Sequence, residues 1–164
     1  MTAPGRHGAA IERRIIHHEH RDLEPVVNRI EATAELAGHL AARDLAPALR
    51  SLLDSIRKAL LPVMDWEETW YFPEADQQAG TPWATKFLRF EHQQIRNNLE
   101  RLEADWLALR HEPTHRQLVD LRARLYALHT LITGHFEHEE RFLMPQLELD
   151  TQAGEAEDTA LDSG

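Results

Sequence analysis

Five side chains with metal-binding chemistry stand where a helical protein ordinarily puts leucine: His20, Glu67, His92, His135 and Glu139. A carboxylate carried into an apolar interior costs several kcal/mol unless it is paired or coordinates a metal. Two carboxylates facing each other also repel, and without a metal the usual escape is a raised pKa and a shared proton. Imidazole and carboxylate gathered around a cation relieve both costs together. His135 and Glu139 lie one turn apart, about 40° around a helix, so both can reach one centre. Glu140, about 140° from His135, points away from that centre. Nitrogen and oxygen donors without thiolate suit iron, manganese or zinc, and a core fed by four helices suits a dinuclear pair.

The elements that must position these residues are helical, and strand signals are absent. The periodicity predicts four long helices, roughly Ala10–Ala37, Pro47–Pro73, Pro82–Arg110 and Thr114–Leu149. Gly38 is a helix stop. The polar run EADQQAGTP from Glu74 is a loop ending in a proline suited to a first helical position. Thr114 and Gln117 have capping-box spacing. Pro25 and Pro62 fall inside predicted helices, so each implies a kink or a break. Short connections between four helices imply an antiparallel up-down-up-down bundle.

The apolar stripes advance by alternating steps of three and four. They read Ile16, His20, Leu23, Val27, Ile30, Ala34 on the first helix and Leu49, Leu53, Ile56, Leu60, Val63, Glu67, Trp70 on the second. The third carries Leu88, His92, Ile95, Leu99, Leu102, Trp106, Leu109, and the fourth Leu121, Leu125, Leu128, Ile132, His135, Glu139, Phe142. An offset of 72 residues maps the first helix onto the third and the second onto the fourth. It pairs Glu19-His20 with Glu91-His92, and Glu67-Glu68 with Glu139-Glu140. The chain therefore reads as two copies of a helical hairpin. A pseudo-twofold axis would set His20 opposite His92 and Glu67 opposite Glu139, the geometry of a two-metal site.

Composition sets the outer limits. The 164 residues make one domain's worth of chain, and 42% hydrophobic content is enough for a core. A net charge of -10 argues against nucleic acid or anionic membrane as a partner. No apolar run is long enough to span a membrane. The start, MTAPGRHGAA, has no apolar stretch of a secretory leader. The chain contains no cysteine, which excludes disulfides, thiolate ligands and a cysteine nucleophile and is consistent with a cytoplasmic protein. Residues 1–10 are expected to be flexible, and the acidic stretch 151–164 to be a disordered tail.

Rival chemistries fit less well. In a purely structural bundle, the inward histidines and glutamates would simply hydrogen-bond one another, which is the usual fate of a lone core histidine. Five such residues on four helices, four of them paired by one offset, favour a cation. A ferritin-type site needs Glu-x-x-His on each of two helices, and the match here, Glu112 to His115, lies in the Pro113 loop. A haem bundle using Met64 and His135 would leave Glu67 and Glu139 unexplained.

With these residues in view, the chain resembles the hemerythrin-like (HHE) cation-binding family over Ile15 to Glu148. The carriers are EHRDL at Glu19, DWEETWYFP at Asp65, FEHQQI at Phe90 and HFEHEERFLMP at His135. The resemblance implies a four-helix bundle over residues 11–149 holding a non-haem, oxo-bridged di-iron centre. By the same resemblance His20, His92 and His135 become terminal ligands, Glu67 and Glu139 bridge, and the partner is dioxygen or another small ligand such as nitric oxide.

One position departs. The family's second helix carries His-x-x-x-Glu, and here the stretch is Val63-Met-Asp-Trp-Glu67. The repeat agrees, because Val63 is the mate of His135. The expected site is therefore asymmetric, with one firm iron served by His92 and His135 and a labile or absent one at His20. His17 and Glu24 are candidate substitutes for the missing ligand, each with a surface role as its plainer reading. His129 is expected on a flank; His18, His39 and His138 are expected in solvent. Trp70 and Tyr71 are expected to pack the core end, and Trp66 and Trp83, off the stripes, could mark a contact surface. Two functional classes follow: an iron protein binding or sensing a small ligand, or a degenerate bundle serving as an interaction module with weak or no metal. Peroxide or oxygen reduction is a lesser alternative, since no separate acid-base machinery is visible. Zinc or manganese could replace iron, and no oligomeric state follows from the sequence.

Overall fold

In the computed structural model, the described residues are 7–109 and 113–142, with side chains described from 20 to 109 and from 113 to 141. They form α1 (His7–Leu36), α2 (Ala42–Trp66), a π-helical turn (Glu67–Tyr71), α3 (Phe72–Gln78), α4 (Lys86–Leu109) and α5 (His115–Phe142). Among the described residues there is no strand. The long helices α1, α2, α4 and α5 close a ring of neighbours, α1 against α2 and α5, and α4 against α2 and α5. The first ten side chains and the stretch 151–164 lie outside the described residues.

Local chemistry explains the boundaries. Thr114 and Gln117 form the expected reciprocal cap: the Thr114 amide donates to Gln117 Oε1 (2.8 Å) and the Gln117 amide to Thr114 Oγ1 (3.3 Å). The helices α1 and α2 run unbroken through Pro25 and Pro62, contrary to any expected break, with each proline on an exposed face. The connection between the second and third predicted helices is shorter than expected. EADQQ is helical in α3, which ends where Gly80 takes a left-handed φ of 64°. Asp76 of α3 then caps the start of α4, accepting from the Thr85 amide (2.8 Å) and hydroxyl (3.0 Å).

The second helix departs most from its predicted stripe. The Phe72 amide donates to the Glu67 carbonyl, a five-residue step that defines the π turn. Pro73, next in line, has no amide to continue this pattern, and the Glu68 carbonyl accepts from Arg89 Nη1 (3.4 Å) instead. The extra residue rotates everything beyond it. Trp70, expected inside, is 68% exposed, while Tyr71 and Phe72 are buried. One turn earlier Met64 is fully buried, and Val63 packs half-buried against the core.

The interior is layered. A large apolar cluster draws Ile30 and Ala34 from α1, Leu49 and Ile56 from α2, Ile95 and Leu102 from α4, and Leu125 and Leu128 from α5. A smaller one joins Tyr71, Phe72, Ala75 and Leu88, with Trp66 against it. Along α4 the order is Leu88, His92, Ile95, and along α2 and the π turn it is Met64, Glu67, Tyr71. The inward histidines and glutamates thus form a polar layer between two apolar ones.

Candidate metal centre

All five predicted side chains meet in this layer. His20 is 7% exposed, and Glu67, His92, His135 and Glu139 are at most 1% exposed. Their donor atoms form two groups, each with its atoms within 4.8 Å of one another: Glu67, His92 and His135, and His20, Glu67 and Glu139. Glu67 belongs to both. Glu139 lies between the groups as well, its Oε2 being 3.0 Å from His20 Nε2 and 3.8 Å from His135 Nε2.

The imidazole nitrogens show what is missing. His92 Nδ1 meets Glu68 Oε1 at 2.8 Å, and His135 Nδ1 meets Glu91 Oε2 at 3.1 Å. A carboxylate only accepts, so each Nδ1 must carry the proton and donate. That leaves both Nε2 atoms with lone pairs, yet they face each other at 3.0 Å, with Glu67 Oε2 3.1 Å from His92 Nε2. Lone pairs and carboxylate oxygens converge without a proton to share. Glu139 Oε1, fully buried, also has no hydrogen-bond partner among the described residues. A cation satisfies all of these atoms at once, and the donor set of three imidazoles and two carboxylates suits iron, manganese or zinc.

Electrostatics divide the histidines. Burial opposes a charge on His20, but the hydrogen bond and charge of Glu139, with Glu67 and Glu140 behind it, hold its pKa above the ordinary value. For His92 burial prevails over Glu68, and the pKa falls. Burial would raise the Glu91 carboxyl, but the bonds from His135 and His138 outweigh it and keep the carboxylate ionised.

Sequence reasoning missed the outer carboxylates. Glu68 and Glu91 hold His92 and His135 by their far nitrogens, and Glu140 stands 3.6 Å from His20 Nδ1. Glu140 does point away from His135, as expected, and in doing so it faces a neighbouring helix. The signal lay in the repeat, because the offset of 72 that maps His20 onto His92 also maps Glu68 onto Glu140. His138, assigned to solvent, is instead bonded to Glu91 at 2.6 Å. Glu24 is exposed and belongs to neither donor group. It lines a cavity of about 300 Å³ with His20, His129, Phe136 and Glu140. The side chains of His17 and His18 lie outside the described residues; His39 is exposed. Trp83 is 65% exposed, with Lys86 Nζ 4.5 Å from its ring centre.

A family model described as the hemerythrin HHE cation binding domain matches residues 12–115. The match takes in His20, Glu67 and His92, and ends before the turn of α5 that brings His135 and Glu139 to the same centre. No curated protein and no solved structure matches the chain.

Proposed function

The chain belongs to the hemerythrin HHE cation-binding family, and from that premise we propose that it is a non-haem iron protein that binds or senses dioxygen or another small ligand at an asymmetric pair of centres. The observation that carries this reading is the approach of His92 Nε2 to His135 Nε2 at 3.0 Å, with both Nδ1 atoms on carboxylates. One ion would be held by His92, His135 and Glu67, the other by His20, Glu67 and Glu139, with Glu67 common to both. Iron supplies reversible redox chemistry and an open position for a small ligand. The chain holds the donors in register, buries Phe72, Met64 and Ile132 in the same core, and balances charge with two buried carboxylates.

The asymmetry rests on Val63. The partner of His135 in the repeat is an aliphatic side chain, so the His20 half offers one imidazole where the other half offers two. The hairpin repeat and an antiparallel arrangement are supported by the pairing of α1 with α2. Arg29 bonds Ser51 and Ser55 (3.1 and 2.7 Å), whereas His20, nine residues earlier, shares a donor group with Glu67. No described helix is long and apolar enough to cross a membrane.

Elemental analysis of the purified protein, with absorption spectra before and after exposure to air, tests the reading. Between one and two irons per chain, with a spectrum that changes on air or nitric oxide exposure, is the expected result. Failure to take up iron after anaerobic reconstitution with ferrous salt would leave the interaction-module reading in its place.

A further inference from the structure

We propose that Glu91 is a positioning residue that fixes the tautomer of His135, and that with Glu68 it makes the His92–His135 half of the site the first to load with metal. The inference rests on the cation reading above and extends it to residues outside the donor groups.

Glu91 is 7% exposed and sits on α4, facing two histidines one turn apart on α5. Its Oε2 meets His135 Nδ1 at 3.1 Å and its Oε1 meets His138 Nδ1 at 2.6 Å. A carboxylate gripped at both oxygens cannot rotate without breaking one bond. His138 is itself backed by the Phe87 ring, edge-on at 5.2 Å. The clamp therefore leaves His135 one orientation, Nδ1–H outward and Nε2 lone pair inward. The other imidazole of that half is held comparably. Glu68 Oε1 takes His92 Nδ1 at 2.8 Å and Arg96 Nη2 at 3.3 Å, and Arg96 is tied to Asp65 at 2.8 Å.

The His20 half is built differently. The Glu140 carboxylate stands 3.6 Å from His20 Nδ1, beyond hydrogen-bond length, and is 41% exposed. The His20 ring stacks on Phe136, centroids 4.1 Å apart, and its inward Nε2 lies 3.0 Å from Glu139 Oε2, so the proton of that hydrogen bond sits on the nitrogen facing the centre. The cavity of about 300 Å³ opens beside it. Outer carboxylates that orient histidine ligands typically change metal affinity by roughly 10–100-fold. Two imidazoles with inward lone pairs against one whose inward nitrogen carries a proton therefore set an order of loading.

The test uses the full chain and ferrous ion added anaerobically. Ring ¹⁵N spectra of the metal-free protein should show His135 in a single Nδ1–H form, and Glu91→Gln should convert it to a mixture. The first ferrous equivalent should bind about 10–100-fold more weakly to Glu91→Gln, while Glu140→Gln leaves that first step unchanged. His138→Gln should shift both readouts in the same direction by less, and it carries the test if Glu91→Gln does not fold. A folded variant with unaltered His135 tautomer and unaltered first-step affinity overturns the proposal. A native protein that takes no ferrous ion removes the loading order and the cation reading together, while the tautomer comparison still decides whether Glu91 positions His135.

Discussion

His92 and His135 point their inner nitrogens at each other across 3.0 Å, and each has its outer nitrogen on a carboxylate from a different helix. Two lone pairs held at hydrogen-bond distance by neighbouring acceptors are poised for a positive ion. Removal of that ion should therefore be felt by the whole fold.

A ligand that binds only the folded state stabilises it by about 2.7 kcal/mol at a hundredfold excess over its Kd. For a chain of this size that corresponds to a rise in Tm of roughly 5–10 °C. We expect calorimetry of the iron-loaded protein to show such a rise and chelation to reverse it. Identical melting curves with and without iron would leave the donor layer without a cation.

Val63→His restores an imidazole at the position that the repeat pairs with His135. Val63 is already half-buried against the core, so the larger ring has a route inward. The expected outcome is a rise in bound iron toward two per chain, read by elemental analysis and by ferrous titration. Unchanged stoichiometry would show that Val63 does not face the second ion.

His20 gives a pH signature in the metal-free protein. Its pKa is raised above 6.5: burial opposes the charge, and Glu139 more than compensates. Its stabilising contribution is thus complete below 6.5 and is lost as pH rises through the elevated folded-state value. The stability gap between the native chain and His20→Gln should narrow with rising pH, as measured by urea denaturation at each pH. Metal must displace the same proton, so ferrous affinity should increase over that range.

The π turn makes opposite predictions for two aromatic sites two residues apart. Phe72 is fully buried, and its replacement by alanine should cost about 3–5 kcal/mol. Trp70 is 68% exposed, and its replacement should stay within roughly 0.5 kcal/mol. Equal losses in urea titrations would place both side chains in the core.

Most of this arrangement was legible because buried positions on α1, α4 and α5 follow steps of three and four through His20, His92, His135 and Glu139. On the second helix the reading placed Glu67 correctly but set Val63 where Met64 takes the inward place, and it failed at Trp70 because a five-residue turn breaks the period on which the stripe depends. The outer carboxylates were missed for another reason. Glu68 and Glu91 flank the stripes of their own helices, and a helical wheel of one helix cannot show which flank a neighbour will cover. The unbroken courses of α1 and α2 through Pro25 and Pro62 reflect prolines on exposed faces, which a residue-type rule does not weigh.

The turn at Glu67–Tyr71 also means that the second helical segment is written in two reading frames. Upstream of it the inward phase is set by Leu60 and Met64; downstream it is set by Tyr71, Phe72 and Ala75. The single surplus residue works as a vernier between them. Deleting one residue from the turn would close it to an ordinary α turn and leave Phe72 and Ala75 facing inward, whereas deleting one from the α-helix on either side would turn what lies beyond by about 100°. A chain of this kind therefore absorbs the loss of one exposed residue within the turn, such as Trp70, far better than the loss of one from α2 or α3.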